Sequence, residues 1–198
     1  MTRDLHLPID ERAARDLRAG DVVHVSGTVF TARDVAHRRL LEAHAQGQRL
    51  PFDPAGLALY HCGPVVRPVD GGWRVLSAGP TTSARMELLE VRFLEVFRPR
   101  LVIGKGGMGD RTLEALGRLG AAYAHFPGGA GALAARRVTR VRSVYGLEEW
   151  GMPEAVWVLD VEHFGPLLIT MDSAGRDLHR DRRIEVAKNL QRIRARLG

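Results

Sequence analysis

Cysteine is almost absent: Cys62 is the only one in 198 residues. A lone thiol excludes an internal disulfide framework, and equally any metal centre that this chain would build from several thiolates of its own. Long apolar runs are missing too. No stretch approaches the roughly 20 apolar residues that cross a bilayer, and the opening MTRDLHLPIDERAARD has no signal-peptide core, so a cytoplasmic location is expected. There are no internal repeats and no low-complexity linker, which leaves residues 1–198 as one domain of ordinary size.

What is present suits a folded, soluble chain. With 45% hydrophobic and 26% charged residues, wholesale disorder is excluded. The 29 basic and 23 acidic side chains give a net charge of +6, and arginine far outnumbers lysine. A basic balance is compatible with nucleic acid, an anionic substrate or an acidic partner, and does not choose among them.

Periodicity outlines a mixed order of elements. Leu5 to Leu17 reads as a lead-in, and Val22, Val23 and Val25 as a short strand ending at Ser26-Gly27. Ala36, Leu40, Leu41 and Ala45 recur at helical spacing, which predicts a helix from Ala32 to Gln46. Leu57 to Tyr60 reads as a strand, and the Asp70-Gly71-Gly72 turn before Trp73 as a hairpin return. Met86, Leu89, Phe93 and Val96 stripe a helix from Ser83 to Phe97, which Pro99 stops. Leu101-Val102-Ile103 is a buried strand, and a helix capped by Asp110 runs to Leu119 and ends at Gly120. Ala121 to Phe126 is a further strand. Two late strands, Ala155 to Val161 and Leu167 to Met171, flank a Phe164-Gly165-Pro166 turn, and the polar tail from Asp181 is helical. Strands and helices alternate without a strict βαβ rhythm, so the expected class is α/β, a layered β/β/α domain with a mixed sheet.

Three segments carry chemistry. In Gly79-Pro80-Thr81-Thr82-Ser83-Ala84-Arg85-Met86, three hydroxyls open a helix, where unpaired N–H groups favour a carboxylate or phosphate. Arg85 adds a possible bidentate grip. Plain capping accounts for one hydroxyl, not for three and an arginine. In Ile103-Gly104-Lys105-Gly106-Gly107-Met108-Gly109, glycines let a ligand approach the backbone and Lys105 supplies a point charge. Gly106 follows Lys105, so this is no Walker A loop, and a tight strand-to-helix turn is the plain alternative. Arg33 sits near a helix N-terminus, against the dipole, which implies pairing with Asp34 or with an anionic ligand. His37 and Arg38 also fit a solvated face, a reading that suits Arg38 and Arg39 best. His61 and Cys62 end a strand before Gly63-Pro64, where a structural role is the simpler reading.

Together these segments resemble the C-terminal domain, or separate β subunit, of the class I (iron–sulfur) fumarate hydratase and L(+)-tartrate dehydratase family. GTVFTARDVAHRRL, HCGP, GPTTSARM, VIGKGGMG, WGMPEAVWVLDVEHFGPL and MDSAG stand in family order, between about Gly20 and about Leu178. The resemblance implies a swivelling β/β/α domain partnered by an α subunit that carries a 4Fe-4S cluster, assembled as two αβ pairs. By the same resemblance Arg33, Arg85 and Lys105 bind substrate carboxylates and Thr81 transfers a proton, with Thr82 and His61 as further candidates. The implied reaction is reversible hydration of a C4 dicarboxylate, fumarate to (S)-malate first and L(+)-tartrate to oxaloacetate second. A stand-alone anion- or RNA-binding module using the GKGG loop is the alternative from another class, with nucleic acid the less favoured partner and no membrane involved.

Such a hydration needs both carboxylates gripped, a Lewis acid on the hydroxyl and a base for the carbon-bound proton. A free threonine hydroxyl is a very poor base, so Thr81 would need activation by neighbours that the sequence does not identify. No cofactor is expected on this chain alone, because a cluster needs about three thiolates. The chain purified by itself should therefore show no iron–sulfur absorption and negligible hydro-lyase turnover. Stoichiometric cluster iron with turnover in the isolated chain is the contrary result.

Overall fold

Near-continuous apolar runs set the architecture, because the central strands are covered on both faces. The computed structural model describes residues 2–197. In chain order the strands are β1 (Thr2–His6), β2 (Val22–Thr31), β3 (Ala58–Tyr60), β4 (Val65–Val69), β5 (Gly72–Ser77), β6 (Leu101–Gly104), β7 (Ala122–His125), β8 (Val138–Tyr145) and β9 (Val156–Met171). The helices are α1 (Glu11–Arg15), α2 (Asp34–Ala45), α3 (Glu87–Phe97), α4 (Asp110–Leu119), α5 (Gly131–Arg136), α6 (Leu147–Trp150) and α7 (Leu178–Leu197), with a 3-10 turn at Ser83–Met86.

Seven strands form one mixed sheet in the order β1-β2-β3-β6-β7-β9-β8, and β9 pairs with β2 as well. The pairings of β2 with β3, β3 with β6 and β6 with β7 are parallel, whereas β9 runs antiparallel to both β7 and β2. These five strands close into a ring. Alternate residues then face two cores. Val29, Tyr60, Ile103, Ala124, Trp157 and Leu159 fill the interior of the ring. Their neighbours Phe30, Leu59, Val102, Tyr123 and Val158 face outward onto Leu40, Phe93, Phe97 and Leu116 of α2, α3 and α4. The sheet thus wraps one core and carries a helical layer outside it, the β/β/α layering and mixed sheet expected from the pattern. No helix among the described residues is long and apolar enough to cross a membrane.

The sequence and the structure part at identifiable places. The lead-in folds as β1 and α1. β2 does not stop at Ser26-Gly27 but continues to Thr31 through register shifts on either side of Val25. The two late strands are one strand, β9, and Phe164-Gly165-Pro166 is no turn: positive φ at His163 (48°) and Gly165 (152°) bends it in mid-course. That bend lets the first half pair with β2 and β8 while the second pairs with β2 and β7. Asp110 is not the cap of α4. Gly109 holds that position, and the Glu87 carboxylate on α3 accepts its N–H at 2.7 Å and the Thr112 hydroxyl at 2.9 Å.

Gly27 shows what the ring closure requires. Its φ is +116°, and a Cβ there would lie 2.6 Å from the Leu7 carbonyl oxygen. Gly27→Ala therefore combines backbone strain with a clash against β-sheet backbone, and should cost about 2–4 kcal/mol of unfolding free energy. Gly71, at φ +78° in the open turn between β4 and β5, has nothing within 4 Å of a Cβ. Gly71→Ala should cost only about 1 kcal/mol. Equal losses in denaturant titrations of the two variants would contradict this account.

Candidate active site

In a parallel sheet the carboxyl ends of the strands share one rim, where side chains from separate strands converge. Here β2 leads to Arg33, β3 to His61 and β6 to Lys105, and β7 ends at His125. The Thr81–Ser83 segment is laid across this rim by backbone bonds. Thr81 N–H donates to the His61 carbonyl at 2.7 Å, and Ser83 N–H donates to the Lys105 carbonyl at 2.9 Å. Thr82 forms an isolated bridge with Lys105. Thr81, Thr82, His61 and Lys105 are thereby brought together, and Arg33 packs over Gly63, whose Cβ would meet its Nη1 at 2.9 Å. Arg85 joins through the neighbour of Arg33: its Nη2 lies 2.7 Å from Asp34 Oδ2.

The ion pairs differ from the sequence expectation. Arg33 pairs with Glu154, Nε to Oε1 at 3.3 Å, rather than with Asp34. Glu154 also accepts the Val35 N–H at 3.1 Å, so one carboxylate serves both the helix start and the guanidinium. Asp34 pairs with Arg85 instead. Partial burial acts to raise its carboxyl, but the hydrogen bond from Arg85, a backbone hydrogen bond and the fields of Arg85 and Arg33 together outweigh this and hold it below the usual range. Lys105 has no carboxylate within ion-pair distance among the described residues, and its stem runs over Gly128. Thr82, the N-cap of the 3-10 turn, makes no side-chain capping bond. Capping thus does not account for the threonines.

A fully buried polar chain lies beneath the rim. His37, read from sequence as compatible with a solvated face, is completely enclosed, as are His61, Ser83 and Glu90. His37 Nδ1 is 2.8 Å from the Arg33 carbonyl and its Nε2 is 3.2 Å from Glu90 Oε2. Each ring nitrogen of His37 thus faces an oxygen, one on the main chain and one on a carboxylate. His61 Nε2 lies 3.1 Å from the same Glu90 oxygen, off the ideal hydrogen-bonding direction. Burial lowers the His61 pKa, while the Glu90 carboxylate acts to raise it. Its Nδ1 lies 2.9 Å from the Ser83 hydroxyl. Ser83 in turn accepts from the Tyr123 hydroxyl at 2.9 Å, and Tyr123 accepts from Gly107 N–H at 3.3 Å. Gly104 makes room for this, since a Cβ there would fall 1.9 Å from Ser83 Oγ.

Neither thiol nor imidazole makes this chain a cluster carrier. Cys62 is buried, and burial pushes its thiol well up despite the field of Arg33. The described residues do not fit an iron–sulfur cluster. The ligand atoms of His37, His61 and Glu90 lie within 4.8 Å of one another. The N–H of His37, however, is aimed at the carboxylate oxygen itself, which is the geometry of an ion pair and not of a chelate.

Sequence reading missed Glu90, Ser83 and Tyr123 as a unit, and also His125 and His179 beside the glycine loop. Gly106 N–H points to His125 Nδ1 at 3.4 Å, and His179 packs on Gly107. Burial lowers the His125 pKa, with His179 adding to the effect. One signal was available: Glu90 falls four residues after Met86 and three before Phe93, on the apolar stripe of its helix, where a carboxylate needs a buried partner. None of five well-formed clefts among the described residues is lined by Arg33, Thr81, Arg85 or Lys105. Arg85 is exposed and Arg33, Thr81 and Lys105 are partly exposed, so the candidate site lies on an open face.

Residues 2–182 match the family model described as the fumarase C-terminus. The chain belongs to that family. Among its relatives, the L(+)-tartrate dehydratase subunit beta of Escherichia coli K12 is 43% identical over 178 residues, covering 90% of this chain and 87% of that one. A Methanocaldococcus jannaschii protein provisionally named L(+)-tartrate dehydratase subunit beta is 40% identical over 185 residues, covering 93% and 95%. A Geobacillus stearothermophilus protein with the provisional name fumarate hydratase class I is 43% identical over 178 residues, covering 89% of this chain and 33% of that longer one.

The charge state of Glu90 in this family member is testable through stability. Burial alone pushes its carboxyl up, but the neighbouring imidazoles, His61 foremost, outweigh burial and hold it at about 2, against an ordinary value of 4.5. A depressed folded-state pKa means that the contribution is complete above about pH 4.5 and is lost as pH falls through about 2. Glu90→Gln should therefore lower the unfolding free energy by about 3–5 kcal/mol at neutral pH. In denaturant titrations that deficit should shrink clearly by about pH 3. A constant deficit across this range would rule out an ionised Glu90.

Proposed function

We propose that this chain is the β component of a two-subunit hydro-lyase that adds water to, or removes it from, a C4 dicarboxylate. The observation that carries the reading is the gathering of Arg33, Arg85 and Lys105 with Thr81 on one open rim. Each guanidinium commits one edge to a carboxylate of the chain and keeps further N–H donors, while Lys105 keeps its whole ammonium. Such a set suits two carboxylates held apart, and it stabilises the additional charge of an aci-carboxylate. Thr81 stands among these cations as the proton-transfer group. No side chain of the described residues bonds its hydroxyl, so the activating partner belongs to the surface that closes the site.

That surface is proposed to be an α subunit carrying the 4Fe-4S cluster, which supplies the Lewis acid for the substrate hydroxyl. Two αβ pairs and a cytoplasmic setting complete the proposal. Support comes from the single buried cysteine, the open face and the beta-subunit names of relatives matched over nearly their whole length. Those names also favour L(+)-tartrate over fumarate, reversing the order expected from sequence. The RNA-binding alternative loses ground, because a KH loop joins two helices and the Lys105 loop joins β6 to α4.

The test is kinetic, in the chain co-produced with its α partner and assayed on L(+)-tartrate and on malate. Arg85→Ala should lower kcat/KM by roughly 30-fold to several thousand-fold, and Arg33→Ala and Lys105→Ala in the same direction. Thr81→Ala should lower kcat with little change in KM, since a proton-transfer group acts mainly in the transition state. Arg39, exposed and paired only with Glu42, is the control. Matching mild effects of Arg85→Ala and Arg39→Ala would sink the clamp assignment.

A further inference from the structure

The buried polar chain beneath the rim ends on backbone at both sides, the Arg33 carbonyl at one end and the Gly107 amide at the other. Neither terminus exchanges protons readily, so the chain is not a proton wire to Thr81. What it meets is the main chain of the clamp. His37 holds the Arg33 carbonyl twice, by its own N–H and by Nδ1, each at 2.8 Å. His61 receives the Thr81 N–H on its carbonyl while its ring takes the Ser83 hydroxyl. Ser83 sends its N–H to the Lys105 carbonyl. Three of the four proposed substrate contacts are therefore anchored, through backbone, on residues whose side chains converge around Glu90.

We propose that Glu90, His37, His61, Ser83 and Tyr123 are positioning residues that fix the mutual placement of Arg33, Thr81 and Lys105. The inference rests on the clamp reading above. Grip on two carboxylates of fixed separation requires cations held within about 0.5 Å, and a flexible rim would lose it. The chain draws on five elements, α2, α3, the end of β3, the 3-10 turn and β7, which otherwise could shift independently. Glu90 is the joint. Both imidazoles approach the same oxygen, Oε2, at 3.2 and 3.1 Å, so a shortened carboxylate does not serve both without displacement, and an amide keeps the shape but not the charge.

Tyr123→Phe is the cleanest cut, because it removes only the hydroxyl joining the network to Gly107 and keeps the ring. In the full chain, amide exchange at Gly107 should accelerate about five- to tenfold, the scale of one lost hydrogen bond. In the assembled complex kcat/KM should fall by a similar factor, mainly through KM. The deciding readout is a double-mutant cycle with Lys105→Ala. Once the ammonium is gone, Tyr123→Phe should cost less than about twofold, whereas a hydroxyl with a merely structural role would cost the same factor in both backgrounds. Equal factors, or unchanged Gly107 exchange, overturn the proposal. Ser83→Ala should repeat the pattern with a larger factor, while effects of Arg39→Ala should simply multiply. If the wild-type complex turns over neither tartrate nor malate, the clamp reading fails. Exchange at Gly107 in Tyr123→Phe, and at Thr81 in Glu90→Gln, then decides the network alone.

Discussion

One buried carboxylate constrains this structure more than any other polar group. Glu90 sits in the seam between α3 and the outer face of the sheet, with no exposure to solvent. An ionised carboxylate there is tolerable only because two imidazoles stand against it. Those partners must come from fixed places: His37 from the first turns of α2, and His61 from the end of β3. Once both are in register, α2, α3 and the strand ends have no freedom to slide. Such a pair adds less to net stability than apolar packing of equal volume would, so its value lies in specifying one arrangement.

That arrangement matters because the ring of strands delivers its candidate site residues at the rim and not in a cavity. Parallel strands end side by side, and the residue following each strand is where the backbone leaves the sheet and can face a ligand. Lys105 occupies such a position directly after β6 and Arg33 lies two residues after β2, whereas His61, following β3, is buried beneath the rim. The Thr81–Ser83 segment would be an ordinary loop without its backbone bonds to His61 and Lys105. With them it behaves as a short strand laid across the chain just beyond the ends of β3 and β6. The close passage of Ser83 over Gly104 explains a glycine that a turn alone would not require.

The fold was legible where burial repeats with a period. The α2 and α3 stripes, the hairpin of β4 and β5, and the Leu101 to Gly104 strand all follow from side-chain spacing. What could not be read were features decided by tertiary contact. β9 looks like two strands because His163, Gly165 and Pro166 resemble a turn, and only pairing to β2 across the bend shows one strand. β8 is invisible in pattern because arginines interrupt its valines and one edge is open. The candidate site divides in the same way. Arg33, Thr81, Arg85 and Lys105 stood out by chemistry at element ends. His37 looked like surface, because nothing in its helix announces a carboxylate on the neighbouring helix. Glu90 was hidden inside a stripe that reads as pure core.

Charge at the rim argues for an incomplete site. Arg33, Arg85 and Lys105 face Glu154 and Asp34, which leaves one net positive charge. This near-balance lets the open face exist in water without strong self-repulsion. It is too small for the proposed task. A dicarboxylate brings two negative charges, and removal of a carbon-bound proton adds another. Deep burial of such a ligand against this rim alone would leave an uncompensated anion, which is costly in a water-excluded site. The missing positive charge must arrive with whatever surface closes the site.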